Sequence, residues 1–288
     1  MRTTKAATLS FEIFPPKNGV DVEGCVAMAR RLRSLRPDFM SVTYGAGGSG
    51  HSRTVEVARS IAALATPALA HLTCVGNTKK TILETASELK ASGIDNVLAL
   101  RGDFPPDRSC APLEPGLEHA DGLAAILKAE GFCVGAACYP EGHPESGNRD
   151  ADLDNMMRKV DAGVDFLVTQ MFFDNNMLYS YLYRLQSRGV RLPVHAGIMP
   201  IVDSRQVAKM VRLSNAYVPA KLLAFCDRFA DDPAAMRQAG IAYATDQIID
   251  LVSNGVGGIH IYTMNKPEVT RDIVRNVDAI IASDRRSA

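Results

Sequence analysis

The chain has no excess of either charge. Its 32 Lys and Arg residues balance 32 Asp and Glu. Proteins that bind nucleic acid need a basic surplus to neutralise phosphates, so no nucleic-acid partner is expected. No C-x-x-C pair occurs among the six cysteines, Cys25, Cys74, Cys110, Cys133, Cys138 and Cys226, which argues against structural zinc. A chain of 288 residues with its own core does not need a disulfide framework, so most of these thiols are expected to be reduced and buried. The six histidines show no H-x-x-x-H spacing, and no metal is expected. The start, "MRTTKAATLSFEIF", lacks the apolar core of a signal peptide, and no apolar run reaches membrane-span length. These absences predict a cytoplasmic protein without a membrane partner. No Pro/Gly-rich linker or shift of composition divides the chain, so residues 1–288 are expected to form one domain.

What is present is a strict alternation. Strand-like runs read "LSFEIF", "FMSVTY", "ALAHLTCV", "NVLALRG", "CVGAACYP", "DFLVTQMFF", "PVHAGIMP" and "GIHIYT". Amphipathic stretches with apolar residues at three- and four-residue spacing lie between them, and a final one, "PEVTRDIVRNVDAIIAS", follows the last strand. Gly93, Gly131, Gly163 and Gly189 each close a helix just before a strand, as a helix C-cap should. Eight β-then-α units predict a parallel sheet with right-handed crossovers, closed as a (β/α)8 TIM barrel. Extra helical sequence, roughly 220–254, interrupts units seven and eight. "DFPPDRSCAPLEPGLEH" is a long, Pro-rich loop of the kind that is often functional.

Polar residues collect where the strands end. Strand one carries Glu12, strand two ends in Thr43-Tyr44, strand three holds His71 and Thr73, and strand four ends in Arg101-Gly102-Asp103. Strand five ends in Tyr139-Pro140-Glu141 with His143 beyond, strand six carries Gln170, and strand eight ends in Tyr262-Thr263 with Asn265 beyond. In a barrel, those ends line the active site. Each residue also has a plain structural alternative. Glu12 is either a salt-bridge partner of Arg101 or a desolvated general acid. His71 and His143 are core or loop histidines, or ligand contacts. Arg101 and Asp103 either close a turn or form one corner of a site, with Asp103 expected to be poorly exposed behind its strand. "GAGGSG", residues 45–50, matches the dinucleotide fingerprint G-x-G-x-x-G, but "ATPALAH" supplies no acidic residue where that fingerprint needs one.

In order and spacing, "FEIFPPK", "SVTYGAGG", "HLTC", "LALRGDFPP", "YPEGHPE", "RKVDAG", "TQMFFD", "GIMPI" and "HIYTMNK" resemble the methylenetetrahydrofolate reductase family from about residue 10 to the end. The resemblance implies FAD at the C-terminal face of a (β/α)8 barrel. It also implies reduction of 5,10-methylenetetrahydrofolate to 5-methyltetrahydrofolate by ping-pong transfer through the flavin from NADH or NADPH. It further implies the catalytic barrel alone, without the C-terminal regulatory region of eukaryotic forms. Glu12 matches the general acid, and Asp103 the carboxylate near flavin and pterin. Thr43, Tyr44, Ala46, His71, Leu100, Arg101, Gly102, Asp103, Ala120, Tyr139 and His143 match positions lining FAD. Asp152, Asn155, Arg158 and Lys159 match the fifth helix, at its adenosine and phosphate end; 152, 155 and 159 share one helical face. Gln170 matches an amide that contacts folate and nicotinamide in turn, and Gln206 a further folate contact. Three positions depart from the family pattern. Lys266 replaces an Arg at a folate position and so loses the bidentate fork. Met210 stands where some bacterial members place Phe near the nicotinamide. The 104–119 loop is longer than in compact relatives and carries His119 where Tyr is common.

The family resemblance leaves homo-oligomerisation open. Two other classes compete with it. One is a Rossmann-type NAD(P)-dependent dehydrogenase using the "GAGGSG" loop, and the other is a non-catalytic protein displaying Arg-Gly-Asp. The absorption spectrum of the purified protein separates the three. A flavin spectrum is expected; a protein that stays colourless and takes up no added FAD would sink the flavoprotein reading.

Overall fold

The apolar runs become strands because each is buried on both faces, as parallel strands sheathed by helices must be. A computed structural model describes residues 7–15, 22–44, 51–104, 113–207, 210 and 216–287. The strands are β1 (Thr8–Ile13), β2 (Phe39–Val42), β3 (Ala68–Thr73), β4 (Asn96–Leu100), β5 (Cys133–Cys138), β6 (Phe166–Thr169), β7 (Val194–Ile198) and β8 (Gly258–Tyr262). They form a closed barrel in the order β1 to β8, the predicted TIM barrel. The open doubly wound sheet that a Rossmann-type dehydrogenase requires is thereby overturned. The 45–50 loop itself lies outside the described residues.

Helices surround the strands. Six fall between successive strands: α1 (Val22–Arg33), α2 (His51–Ala63), α3 (Lys79–Ala91), α4 (Ala120–Ala129), α5 (Arg149–Asp161) and α6 (Asn175–Ser187). The extra sequence before β8 folds as α7 (Ala220–Arg228) and α8 (Pro233–Ser253), and α9 (Pro267–Ser287) follows β8. After β7, residues 204–207 and 210 are helical; the rest of the helix expected there lies outside the described residues. Local chemistry sets the starts. Thr78 and Thr81 form a reciprocal capping box on α3, and the Asp232 carboxylate accepts from the Ala234 and Ala235 N–H groups ahead of α8. The four glycines expected to end helices all adopt left-handed backbone, with φ between 70° and 90°.

The chain groups into two compact units: residues 10–137 with 155–167, and residues 1–9 with 138–154 and 168–288. In the first, β1 to β5 pair in register, Glu12 beside Ser41 and His71 beside Leu98. Its core includes Phe11, Ile13, Met40, Leu72, Ile82 and Phe132, all nearly or fully buried. In the second, β7 and β8 pair with Gly197 beside His260. An apolar layer of Met171, Phe173, Met199, Ile201, Met210, Leu222 and Met236 joins the ends of β6 and β7 to α7 and α8. The described cysteines Cys25, Cys74, Cys133, Cys138 and Cys226 form no disulfide with one another, and all but Cys133 are buried; Cys110 lies outside the described residues. No described helix is long and apolar enough to cross a membrane, and the described residues hold no cluster suited to a metal ion.

Gly240, inside α8, shows how closely that helix packs. A Cβ there would stand 1.8 Å from the carbonyl oxygen of Ile201. In an exposed helix, Gly→Ala stabilises by about 1 kcal/mol. At this contact the sign should reverse: Gly240→Ala is expected to destabilise by about 1–3 kcal/mol, the usual cost of overpacking, as read from denaturant unfolding.

Candidate active site

In the first unit, polar side chains gather at the ends of β1, β2, β3 and β4. Glu12 sits inside β1 and is 6% exposed. Its Oε2 lies 3.6 Å from His71 Nε2, longer than a hydrogen bond, and the Ser41 hydroxyl hydrogen-bonds to the carboxyl. Burial pushes the Glu12 carboxyl above its ordinary range; His71 and Ser41 pull the other way without reversing the shift. Thr43 follows β2, and its carbonyl accepts from Thr54 Oγ1 at 3.0 Å. Tyr44 OH and the Asn77 side-chain amide bond each other, and Asn77 Nδ2 also donates to the Thr73 carbonyl at 2.9 Å. Burial raises the Tyr44 phenol, partly offset by Asn77. Ala46 lies outside the described residues.

Arg101-Gly102-Asp103 leaves β4 through a left-handed turn. Gly102 has φ 83°, and a Cβ there would stand 2.9 Å from Thr73 Cβ, so the fold itself requires glycine. Leu100 and Arg101 extend the backbone pairing, their carbonyls accepting from Cys74 N–H at 3.0 Å and Val75 N–H at 2.8 Å. Arg101 Nε donates to the Gly102 carbonyl at 3.3 Å, and its guanidinium stands 5.7 Å from the centre of the Phe104 ring. Asp103 is exposed, contrary to the expectation that the strand would hide it, because β4 stops at Leu100 and the turn at Gly102 carries the next residue outward. Ala120 is buried at the first position of α4, behind His119, whose side chain makes no cap bond. On α5, Arg158 reaches Asn155 Oδ1 at 2.7 Å and Asp121 at 3.8 Å, while Lys159 Nζ donates to the Ala137 carbonyl at 2.9 Å.

The second unit carries its own set. Tyr139 and His143 meet edge to face, with ring centres 4.6 Å apart. His143 Nδ1 accepts from the Glu145 N–H at 3.1 Å, which leaves the proton of a neutral ring on Nε2. Asp152, expected to face a cofactor, is buried, and its Oδ1 accepts from His143 N–H and Ser146 Oγ, both at 3.1 Å. It therefore braces the loop after β5. Gln170 follows β6 and is half-buried, and Gln206 lies in the helical stretch 204–207 beyond β7, with a buried Oε1 that has no protein partner among the described residues. Lys266 follows Met264 and Asn265, two non-glycine residues in left-handed backbone, with φ 49° and 55°. Such a pair is strained and places Lys266 by conformation. The Asp203 carboxyl is held low by Arg205 first and by the Lys266 charge more weakly. Met210 is 4% exposed within the methionine-rich layer.

Two residues at these strand ends were passed over as site residues on sequence grounds. Glu141 Oε2 accepts from Tyr217 N–H at 2.6 Å, while its buried Oε1 has no partner among the described residues. Burial raises its carboxyl, partly offset by the Tyr217 bond. Tyr262 OH donates to the Thr169 carbonyl at 2.6 Å. Both had been visible as polar residues at strand ends; the partners that distinguish them are 76 and 93 residues away.

The profile of the family described as Methylenetetrahydrofolate reductase matches residues 1–278. The chain belongs to the methylenetetrahydrofolate reductase family. Among relatives within this family, the 5,10-methylenetetrahydrofolate reductase of Pectobacterium carotovorum subsp. carotovorum is 34% identical over 91% of this chain and 87% of that protein. The Escherichia coli K12 protein of the same name is 33% identical over 91% and 88%. Methylenetetrahydrofolate reductase (NADH) 1 of Arabidopsis thaliana is 32% identical over 94% of this chain but only 48% of its own length. A solved structure titled as an uncharacterized Clostridium thermocellum protein binding two copies of 5-methyl-5,6,7,8-tetrahydrofolic acid superposes with a TM-score of 0.68. It covers 96% of each chain at 13% identity, a likeness of fold.

The buried carboxyl yields a stability prediction. Glu12 has a folded pKa above its ordinary 4.5, so between those values the folded state holds more protons than the unfolded state. Its contribution to stability is therefore most favourable below 4.5, falls as pH rises through the folded pKa and stays lowered above it. Glu12→Gln should be more stable than the parent at pH 8, and the gap should close towards pH 4, in denaturant midpoints measured across that range.

Proposed function

We propose that this chain, as a single catalytic barrel, reduces 5,10-methylenetetrahydrofolate to 5-methyltetrahydrofolate in a ping-pong cycle, with bound FAD and NADH or NADPH as donor. Membership of the family sets the reaction class. The observation that carries the reading is Glu12, a carboxyl held inside a strand beside His71, whose burial favours the protonated form. A carboxyl biased in this direction is suited to protonate an amine nitrogen of the folate, opening the bridging ring to an electrophilic iminium. His71 stands close enough to tune that proton, and Ser41 fixes the carboxyl's direction.

The residues present fit the flavin. Arg101 and Arg158 offer cations suited to phosphate or to a polarised ring. The turn at Gly102 exposes peptide edge without a side chain, and neutral His143 offers an Nε2 donor. With Thr43, Tyr44 and Lys159 they would hold FAD, while Asp152 would act through the loop it braces. When bound, FAD would supply the hydride-carrying chemistry that links nicotinamide to folate. The exposed Asp103 carboxylate would favour positive charge on the substrate. Gln170, Gln206 and Lys266 would contact the folate, Gln206 through its unpartnered oxygen.

Glu12→Gln removes the proton and keeps the shape. Nicotinamide should still reduce the flavin at near-parental rate, while folate reduction falls by about 10²–10⁴-fold in rapid-mixing measurements of each half-reaction. Near-normal folate turnover would take Glu12 out of the mechanism.

A further inference from the structure

Gln170 has one end of its amide fixed by its own backbone. Its Oε1 accepts from the backbone N–H of Met171 at 2.9 Å. That N–H can only donate, so chemistry fixes which end of the amide faces it, and Nε2 remains. Among the described residues Nε2 has no protein partner. Gln170 therefore presents both Nε2 donors, while one of the two lone pairs on its oxygen is already engaged.

The peptide that carries Gln170 is fastened at both ends. The Thr169 carbonyl and the Gln170 N–H belong to one rigid plane. Tyr262 OH donates to that carbonyl at 2.6 Å, and the Gln170 N–H donates to the Cys138 carbonyl at 2.7 Å. The Thr169 side chain adds a third tie, its Oγ1 accepting from the Gly197 N–H at 2.8 Å. Tyr262 reaches from β8 to β6 only by passing over β7 at Gly197. A Cβ there would stand 2.6 Å from the Thr169 carbonyl oxygen and 2.7 Å from both the Tyr262 ring and its hydroxyl. The tyrosine and the glycine work only as a pair.

We propose that Tyr262, seated over Gly197, is a positioning residue that fixes Gln170 as a hydrogen-bond donor to a carbonyl oxygen or ring nitrogen of the bound substrate. This rests on the reading that Gln170 contacts the folate.

Tyr262→Phe keeps the ring over Gly197 and deletes only the hydroxyl. Losing one such bond should raise KM for 5,10-methylenetetrahydrofolate about five- to tenfold, with a smaller effect on kcat. Hydrogen exchange at the Met171 amide, measured without substrate, should quicken by a similar factor as the fastened peptide loosens. In a Gln170→Ala background, Tyr262→Phe should add nothing further to KM, because its effect travels through Gln170. A purely structural tyrosine would instead give additive losses. Additive losses, an unchanged KM or unchanged Met171 exchange, with the parent enzyme active, would each overturn the inference alone. Absence of folate turnover in the parent would overturn the assigned reaction and this inference with it.

Discussion

A parallel strand cannot turn straight back to its neighbour, and a parallel sheet leaves unpaired backbone at any open edge. Closing β1 to β8 into a ring removes the edge, and a helical crossover after each strand supplies the return. Much else follows from that constraint. The strands must be apolar on both faces, so a polar residue placed within one is conspicuous and needs a partner. Glu12 with Ser41 and His71, and Thr169 with Gly197 and Tyr262, are such exceptions, and both stand where strands give way to loops.

Elements with a local cause were legible in the sequence. All eight strands appear where apolar runs placed them, and the glycines that end α3, α4, α5 and α6 show the backbone their positions called for. Extra helical sequence near 220–254 is realised as α7 and α8. Glu12 stood out because a carboxylate inside "LSFEIF" breaks the pattern around it.

What could not be read was the use made of each polar group. Asp152 lies on α5, but its carboxylate is engaged by the loop that precedes that helix, and helical periodicity cannot reveal a bond to His143 N–H. Asp103 was judged by the strand before it, whereas the left-handed turn at Gly102 decides its exposure. Gln170 stands out as an amide with four hydrogen-bonding sites, yet an adjacent peptide already takes one of its two acceptor lone pairs. Periodicity reports which side of an element is wet. It carries no information about which of two oxygens is already occupied.

The methionine-rich layer beneath α7 and α8 has a mechanical consequence. Thioether chains turn about three unbranched bonds and fill irregular gaps with little preference for one shape. The strands of the first unit rest on stiffer neighbours such as Phe11, Ile13 and Ile82. Met171, Met199, Met210 and Met236 instead give the second unit a compliant bearing between its strand ends and its outer helices. A displacement of α7 can be absorbed within that layer by rotation of side chains, and the strands below need not follow it.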